Sequence, residues 1–454
     1  MAKDTIVQYS TTAGSNTDIQ SVNIAEACPP SGINNAIREV MVDLAELSSG
    51  AQSLANLKTT GTTQIAAGAV GAPSLSFSAD LNTGIWQSAA DSLSVSAGGE
   101  EQFRFGSNPI PGGSKNLIIN GEMMVNQRGS VTATVNTPLL DMFASTLYNA
   151  AGSAVATVTK DSDSPAGFGS SMKFDVTTIA TGGGDYNYVR QRIEGQNLQH
   201  LKYGTADALT CTFSFWFKTT ITGIYSATAW HIDASQTYVR EFTVQSSNTW
   251  EFFQVTFPGY TSTAFDNDAN ASLEIGIVLA SDSATASSNN VWQAGGDTGG
   301  SINQVNGLSS TSNNIYTTGW QLEVGEIATS YAHESYGTVL ARCLRYLYRL
   351  TRKHPDADTQ IAAGEIATTT LSFTIAHFPV AMRASPTTTV SAAGDLAIRH
   401  ANTLTTVTSF TAYAAGERTA LLQASDSGAA LVAGRGCLLY LQATDDYIQF
   451  SAEL

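Results

Sequence analysis

The chain has 454 residues, of which 43% are hydrophobic and 13% charged, and its formal net charge is −16 at neutral pH. Nucleic-acid binding depends on Lys and Arg displacing counterions, so 22 basic against 38 acidic residues argue against a nucleic-acid partner. The length allows roughly two to four domains, and the hydrophobic content excludes a disordered polymer. Few charges among many Thr, Ser, Ala, Gly and Asn residues favour strands joined by tight turns, so we predict an all-β protein.

Neither a secretion signal nor a membrane span is expected. The N-terminal residues lack an apolar core of signal-peptide length, and no later run approaches the roughly 20 apolar residues that span a bilayer. The cysteines stand alone, without CxxC pairs or nearby histidines at metal-ligand spacing, at Cys28, Cys211, Cys343 and Cys437. This isolation argues against a disulfide scaffold and against a zinc site. We therefore interpret each cysteine as a small apolar residue of a protein made in a reducing cytosol.

The one strong helical signal lies between residues 21 and 50. Ser31 can cap a helix after two prolines, and apolar residues then follow at spacings of four, three, four and three. These residues form a heptad seam and a candidate oligomer interface, which comprises Ile33, Ile37, Val40, Leu44 and Leu47. Two heptads are too short for a stable coiled coil alone, so a helix packed on its own domain and a subunit-pairing helix are equal alternatives.

Residues 51–115 carry short β signals with Gly, Ser and Ala between them. Alternating apolar residues from 75 to 105 are interrupted by turns at 80–84 and 98–99. Strands this short cannot bury a core within one chain, so we expect neighbouring chains to meet around an axis and form a fibre shaft. The Pro and Gly residues of segment 108–113 predict a linker after it.

Clear period-2 alternation predicts a two-sheet β-sandwich over residues 116–340. In segment 211–217 a Cys and three Phe residues face one way, while Thr, Ser and Trp face the other. Segment 250–257 is apolar on both faces, which predicts a central strand with a covered outer side. About eight to ten strands separated by polar loops would fit a jelly roll.

The end of this region carries a family resemblance. Residues 319–336 read GWQLEVGEIATSYAHESY, in which Gln321 and Glu323 alternate with apolar residues and predict a strand with one wet face. The run resembles the end of a carbohydrate-binding-module-like jelly roll of bacteriophage tail fibres, where W-x-L-E-x-G precedes a Thr/Ser-Phe/Tyr exit. Other runs that resemble tail-fibre sequences are PSGINNAIR at 30–38, the shaft-like segment 73–105, NLIINGEMMVNQRG at 116–129, segment 191–219 and the terminal SAEL.

The resemblance touches nearly the whole chain and implies a fibrous homotrimer. It departs at LLDMF, residues 139–143, where the family usually has a Leu-Asp-Arg-Trp run, so any role of that Arg is absent. The implied protein is a structural virion component, assembled in the host cytoplasm, that adheres to a bacterial surface polysaccharide. Its expected parts are an attachment segment with an amphipathic helix that docks on a tail adaptor or nozzle protein (1–50), a β shaft and linker (51–115), the jelly roll (116–340) and a small C-terminal β domain (341–454).

Loops of the predicted sandwich carry candidate ligand residues. Trp292 lies in a polar, glycine-rich loop, and Tyr260 precedes a second polar loop. Exposed aromatic rings of this kind stack on sugars, although Trp292 plugging the sandwich edge or a subunit contact is the alternative. Asp266 and Asp268 are candidate Ca²⁺ ligands, with a solvated turn as the alternative, and we expect no other cofactor.

Four arginines recur at helical spacing near the start of the C-terminal region, at Arg342, Arg345, Arg349 and Arg352. A helix would place them on one face, and a strand would split them across two. Arg345 and Arg349 are our candidates for binding sulfate, phosphate or uronate groups, because Arg binds oxyanions bidentately. Salt bridges to acidic residues of a neighbouring subunit are the alternative.

The motifs of common enzymes are missing from the sequence. It contains neither a G-x-S-x-G elbow nor an H-E-x-x-H pair, and its six histidines are scattered, so we predict that the protein is not an enzyme. A polysaccharide-degrading tailspike and a purely structural tail component are the two alternatives. The regular repeats of a long β-helix are not found, which argues against the tailspike. Adhesion would gain strength from several weak sites on one fibre.

Overall fold

A computed structural model describes most of the chain. The described residues are 12, 15–19, 21–25, 27–49, 64–88, 90, 92–105, 115–148, 155–179, 186–281, 288–295, 299–352 and 359–454. Over these residues the protein is mainly β, as predicted, and its strands form six sheets. The four cysteines are free, also as predicted. Two compact units are present, Met1–Gly106 and Ser107–Leu454. Among the described helices, none is both long and apolar enough to cross a membrane.

The described residues of the first unit form a two-stranded hairpin, one helix and a four-stranded antiparallel sheet. Gly98 and Gly99 have φ angles of 64° and 82°, and they form the tight turn predicted between the last two strands. The elements in chain order are β1 (Asp18–Ile19), β2 (Val22–Asn23), α1 (Pro30–Ser49), β3 (Leu75–Phe77), β4 (Asp80–Trp86), β5 (Leu93–Ala97) and β6 (Glu100–Phe105).

This unit leaves its predicted heptad seam in solvent. The exposed fractions are 51% for Ile33, 56% for Ile37 and 54% for Leu44, and Val40 is half-buried. The side chain of Leu47 lies outside the described residues. Large apolar residues of the short sheet are exposed as well, namely Leu75, Phe77, Leu81, Ile85 and Leu93. Pairing of these faces between chains stays a prediction.

In the second unit, two antiparallel sheets pack face to face as a sandwich. Its strands are β7 (Val131–Ala133), β8 (Thr137–Pro138), β9 (Phe143–Tyr148), β10 (Val155–Asp161), β11 (Ser171–Thr178), β12 (Tyr186–Glu194), β13 (Cys211–Thr219), β14 (Gly223–His231), β15 (Gln236–Val244), β16 (Glu251–Phe257), β17 (Ala271–Ser281), β18 (Trp292–Ala294) and β19 (Asn314–Val324). One sheet has the order β16-β13-β19-β11-β10-β7, and the other β18-β15-β14-β17-β12-β9-β8.

Aromatic side chains between the two sheets form the sandwich core. Phe213 and Phe143 both pack edge-on against Trp320, at ring-centroid distances of 5.0 and 5.1 Å. Phe217 of one sheet lies 5.2 Å from Tyr225 of the other. These residues are fully buried, as the alternation of β13 and β19 predicts.

Two sequence predictions for this sandwich are wrong. Segment 250–257 is not a central strand, because β16 lies at the edge of its sheet and leaves Phe252 48% exposed. The expected wet face of β19 is buried, because the chain that leaves the strand folds back over it. The main-chain N–H of Ala332 donates to Gln321 Oε1 at 2.8 Å, and that of Thr329 donates to Glu323 Oε1 at 2.9 Å.

The rest of the second unit begins with a short helix, which Ser335 caps by accepting a hydrogen bond from the Thr338 N–H. Two further sheets follow, over a hydrophobic core of their own. The elements are α2 (Tyr336–Leu344), β20 (Leu347–Thr351), β21 (Thr359–Thr368), β22 (Leu371–His377), β23 (Thr387–Val390), β24 (Leu396–His400), β25 (Thr403–Thr406), β26 (Ser409–Ala415), β27 (Thr419–Ser425), β28 (Gly436–Leu441) and β29 (Tyr447–Ser451). The sheet orders are β20-β29-β23 and β25-β24-β28-β21-β22-β27-β26.

Side chains join these C-terminal sheets to the sandwich. Gln127 donates from Nε2 to the Leu347 carbonyl at 2.8 Å, and Arg383 donates from Nη1 to the Ala269 carbonyl at 2.9 Å. Arg128 forms an ion pair with Glu453 near the end of the chain. The predicted domain division at residues 340 and 341 falls inside α2.

Candidate ligand-binding cleft

A cleft of about 570 Å³ lies where the sandwich meets α2. We call it the junction cleft. Strand β12 and the two 3₁₀ turns after it supply one wall, and residues around α2 supply the other. Its charged and hydrogen-bonding side chains include Arg192, Gln196, Asn197, His200, Arg342 and Arg345.

A buried carboxylate orients one of the arginines that line the cleft. Glu194, at the end of β12, is fully buried and accepts from Arg345 Nε and Nη2, both at 2.9 Å. Tyr346 Oη and Gln196 Nε2 also donate to it. Burial raises the pKa of Glu194, but hydrogen bonds from Arg345 and Tyr346 outweigh burial and leave that pKa below its usual value. Glu194 is therefore ionised at neutral pH and holds Arg345 in a fixed orientation.

The lining of the cleft is cationic, although the chain as a whole is acidic. Among the residues that the structure describes, it contains three guanidinium groups and one carboxylate, that of Glu334. Arg342 Nη1 lies 2.6 Å from Glu334, and Arg192 Nε lies 2.8 Å from a carboxylate behind the wall, that of Glu274. Because the carboxylates of Glu194 and Glu274 are not part of the lining, an anion entering the cleft meets mainly guanidinium groups.

Neutral polar groups accompany these cations. Gln196 and Asn197 are exposed, and His200 is partly exposed. Burial lowers the pKa of His200, so its imidazole is neutral at neutral pH and can both donate and accept a hydrogen bond. Amides and a neutral imidazole suit hydroxyl groups, and guanidinium groups suit oxyanions, so the cleft can bind a ligand that carries both.

The predicted arginine face does not form. Helix α2 ends at Leu344, and the chain then enters strand β20. Arg342 and Arg345 therefore line the junction cleft, whereas Arg349 lies on β20, outside its lining. The Arg349 guanidinium lies 3.7 Å from the ring centre of Tyr447, and Nη1 donates to Gln449 Oε1 at 3.3 Å. Stacking and hydrogen bonding give Arg349 a packing role here.

The two predicted aromatic residues come together, but away from the cleft. Trp292 and Tyr260 lie 5.5 Å apart, and Tyr238 lies 5.3 Å from Trp292. Trp292 is half-buried on edge strand β18, and its Nε1 donates to the Pro258 carbonyl at 3.0 Å. These contacts favour the alternative in which Trp292 closes the edge of the sandwich.

Of the two candidate calcium ligands, Asp268 is hydrogen-bonded within its own turn. Asp268 accepts from the main-chain N–H of Asn270 at 2.8 Å and from its Nδ2 at 2.6 Å. The main-chain N–H of Asp266 donates to Asp233 Oδ2 at 3.0 Å. In the described ranges, no group of three or more His, Cys, Asp or Glu side chains is placed to hold a metal ion. Calcium favours roughly six to eight oxygen ligands, so these contacts favour the plain turn.

Sequence reasoning missed Glu194, Asn197 and His200. All three fall in EGQNLQH, residues 194–200, which forms two 3₁₀ turns directly after β12. The available signal was a cluster of amides and a histidine at the end of an alternating strand. Nothing in that cluster indicates its partner, because Arg345 is 151 residues away along the chain.

Comparison with known proteins gives structural similarity only. No protein-family model and no curated protein matches the chain. Similar solved structures include the enzymatically active domain of tailspike protein 4 from bacteriophage CBA120, with 14% identity and a TM-score of 0.27 over 46% of this chain and 22% of that chain. A putative sugar-binding protein from Bacteroides thetaiotaomicron has 10% identity and a TM-score of 0.28 over 46% of this chain and 100% of that chain. The xylan-binding CBM22-2 domain from Paenibacillus barcinonensis has 11% identity and a TM-score of 0.25 over 43% and 99%.

Proposed function

We propose that this protein is a bacteriophage tail-fibre subunit that adheres, through the junction cleft, to an acidic polysaccharide of the bacterial surface. The tail-fibre part of the proposal is supported by the sequence resemblance. The ligand part rests on one observation, which is that three guanidinium groups, four side-chain amides and a neutral imidazole line a single cavity of about 570 Å³, and two of those amides are exposed.

Arg345 is the residue best prepared to bind an anionic sugar. Its pair with Glu194 uses two N–H donors, and a guanidinium group carries five, so the pair does not exhaust them. The same pair holds the guanidinium in place before a ligand arrives, which reduces the entropy lost on binding. Gln196, Asn197 and His200 would then bind the hydroxyl groups of the same sugar or of the next one.

The carboxylates in and next to the cleft, those of Glu334 and Glu194, support adhesion without cleavage. Hydrolysis of a glycosidic bond commonly uses one carboxylic acid that stays protonated and one ionised carboxylate. The lowered pKa of Glu194 makes it a poor proton donor at neutral pH, and Glu334 is paired with Arg342. We therefore assign no catalytic residues.

Assembly of the fibre is the second part of the proposal. Three chains would associate through the α1 seam and the short β4 and β5 strands, whose exposed apolar residues are Ile33, Ile37, Leu44, Leu81, Ile85 and Leu93. The N-terminal segment would dock on a tail adaptor or nozzle protein. Three weak clefts on one fibre would raise the effective affinity for a repeating polysaccharide without any single tight site.

Matched arginine variants test the ligand site. Arg342→Ala removes a cation from the cleft, and Arg435→Ala removes one from an exposed loop elsewhere. We expect Arg342→Ala to weaken binding to host capsule or lipopolysaccharide by about tenfold, or roughly 1.4 kcal/mol, and Arg435→Ala to leave it unchanged. Equal affinities for the two variants would contradict the assignment, and release of reducing ends from the polysaccharide would favour a tailspike.

A further inference from the structure

In strand β22 the small and polar side chains face the core, and the larger apolar side chains face away from it. This is the reverse of the usual arrangement in a sheet that packs on one core. Its small or polar residues Ser372, Thr374 and Ala376 are buried in the C-terminal core. Thr374 Oγ1 is buried there with no hydrogen-bond partner among the described residues. Its larger apolar residues point to the opposite side, where Ile375 is 46% exposed. An antiparallel sheet with one face in solvent normally buries its larger apolar side chains on the other face. The pattern of β22 therefore indicates that both faces of this strand are covered.

The neighbouring strands extend the apolar surface. On the same face, Ile375 lies opposite Ala363 on β21 and Leu421 on β27, and Ala363 lies opposite Leu438 on β28. Phe373 lies two residues before Ile375 on β22 and therefore points to the same face. Its ring centre is 5.8 Å from that of Tyr413, which is 66% exposed. We call this surface the outer face of the C-terminal sheet, and it comprises Ala363, Phe373, Ile375, Tyr413, Leu421 and Leu438.

We propose that the outer face of the C-terminal sheet is where copies of this chain pack against one another. This inference deepens the self-association part of the proposed function and rests on it. A contiguous apolar surface that crosses five adjacent strands is typical of a protein interface and rare on a monomer. In a trimer, the same surface of each neighbouring copy around the fibre axis would cover it and complete a second core on the outer side of β22.

Charge favours a second copy as the occupant. Each chain carries a formal charge of −16, so two copies repel over most of their surfaces. The outer face is different, because its strands place one anion, Glu365, and one cation, Arg399, beside the apolar residues. Glu365 lies opposite Phe373, and Arg399 lies opposite Leu438. Such faces of neighbouring copies meet without net repulsion and can set unlike charges against each other.

Sedimentation equilibrium of the full-length protein tests this surface. Ile375→Asp places a charge in the middle of it, and Val135→Asp is the control, since Val135 is an apolar residue of similar exposure, 44%, in a turn of the sandwich. We expect Ile375→Asp to raise the concentration needed for association by tenfold or more and Val135→Asp to leave it unchanged. Tyr413→Asp should act in the same direction as Ile375→Asp. Because Tyr413 is mostly exposed, this variant keeps the test informative if Ile375→Asp unfolds.

The outcomes separate this inference from the proposal beneath it. If the wild type associates and both Asp variants associate equally well, the outer face is not the interface, while self-association stands. If the wild type is a monomer at all concentrations, both this surface and the fibre assembly are refuted. Polysaccharide binding measured on the same samples reports on the junction cleft, which contains none of the substituted residues.

Discussion

Arg345 and Glu194 form a two-point ion pair, with both N–O distances at 2.9 Å, between residues 151 positions apart in the chain. Glu194 is fully buried, and the Arg345 side chain is one-third exposed. The pair therefore joins the end of sandwich strand β12 to the residue after α2. It also sets the position of the cation that we assign to ligand binding.

Removing Arg345 should destabilise the second unit. In Arg345→Ala the Glu194 carboxylate keeps its Tyr346 and Gln196 donors but loses its cation while still buried. We expect a loss of about 1–3 kcal/mol in the free energy of unfolding, measured by denaturant titration. Arg342→Ala is the control, because its ion pair with Glu334 is partly exposed, and it should cost about 0–1 kcal/mol. Equal losses would show that the Glu194 pair has no special role.

Acid should weaken the folded state through Glu194. Its folded pKa is lowered, so the stability it contributes is present above the unfolded pKa of about 4.5 and is lost as the pH falls through the folded value. Glu194→Gln cannot titrate. We therefore expect the melting temperature of the wild type to fall more steeply below about pH 4.5 than that of Glu194→Gln. Parallel curves for the two proteins would refute the lowered pKa.

Trp292 should matter more to stability than to binding. Trp292→Ala removes the contacts with Tyr238 and Tyr260 and the hydrogen bond to the Pro258 carbonyl. We expect a loss of about 2–3 kcal/mol in the free energy of unfolding, less than for a fully buried Trp, with unchanged affinity for polysaccharide. Trp292→Phe keeps a ring and should lose less. Lost affinity at full stability would instead restore Trp292 as a sugar-stacking residue.

The N-terminal segment should be needed for incorporation into virions. The sandwich and C-terminal cores lie wholly within Ser107–Leu454, so deleting residues 1–50 removes none of their residues. We expect the truncated protein to keep the thermal unfolding of the second unit and to be absent from purified particles in a complementation assay. Normal incorporation of the truncated protein would refute attachment through this segment.

The alternation of apolar and polar residues correctly predicted which side chains of a strand are buried, where burial depends only on the geometry of that strand. Alternation at Phe213, Phe215 and Phe217 placed these residues in the core, because successive side chains on a strand point to opposite faces. Alternation wrongly predicted that Gln321 is exposed, because the residues that follow β19 fold back and cover that face of the strand. The spacing of the arginines wrongly predicted one helical face, because α2 has only nine residues and ends at Leu344. The cleft depends on contacts between distant segments, which no spacing rule encodes.

Calorimetric titration of the full-length protein with one acidic host polysaccharide, and with the same polymer after chemical reduction of its carboxyl groups, tests the central claim most directly. The proposal predicts binding of the acidic polymer and a loss of at least about tenfold in affinity for the reduced one, because the guanidinium groups of the cleft lose their oxyanion partners. Equal affinity for both polymers would contradict the role assigned to Arg342 and Arg345.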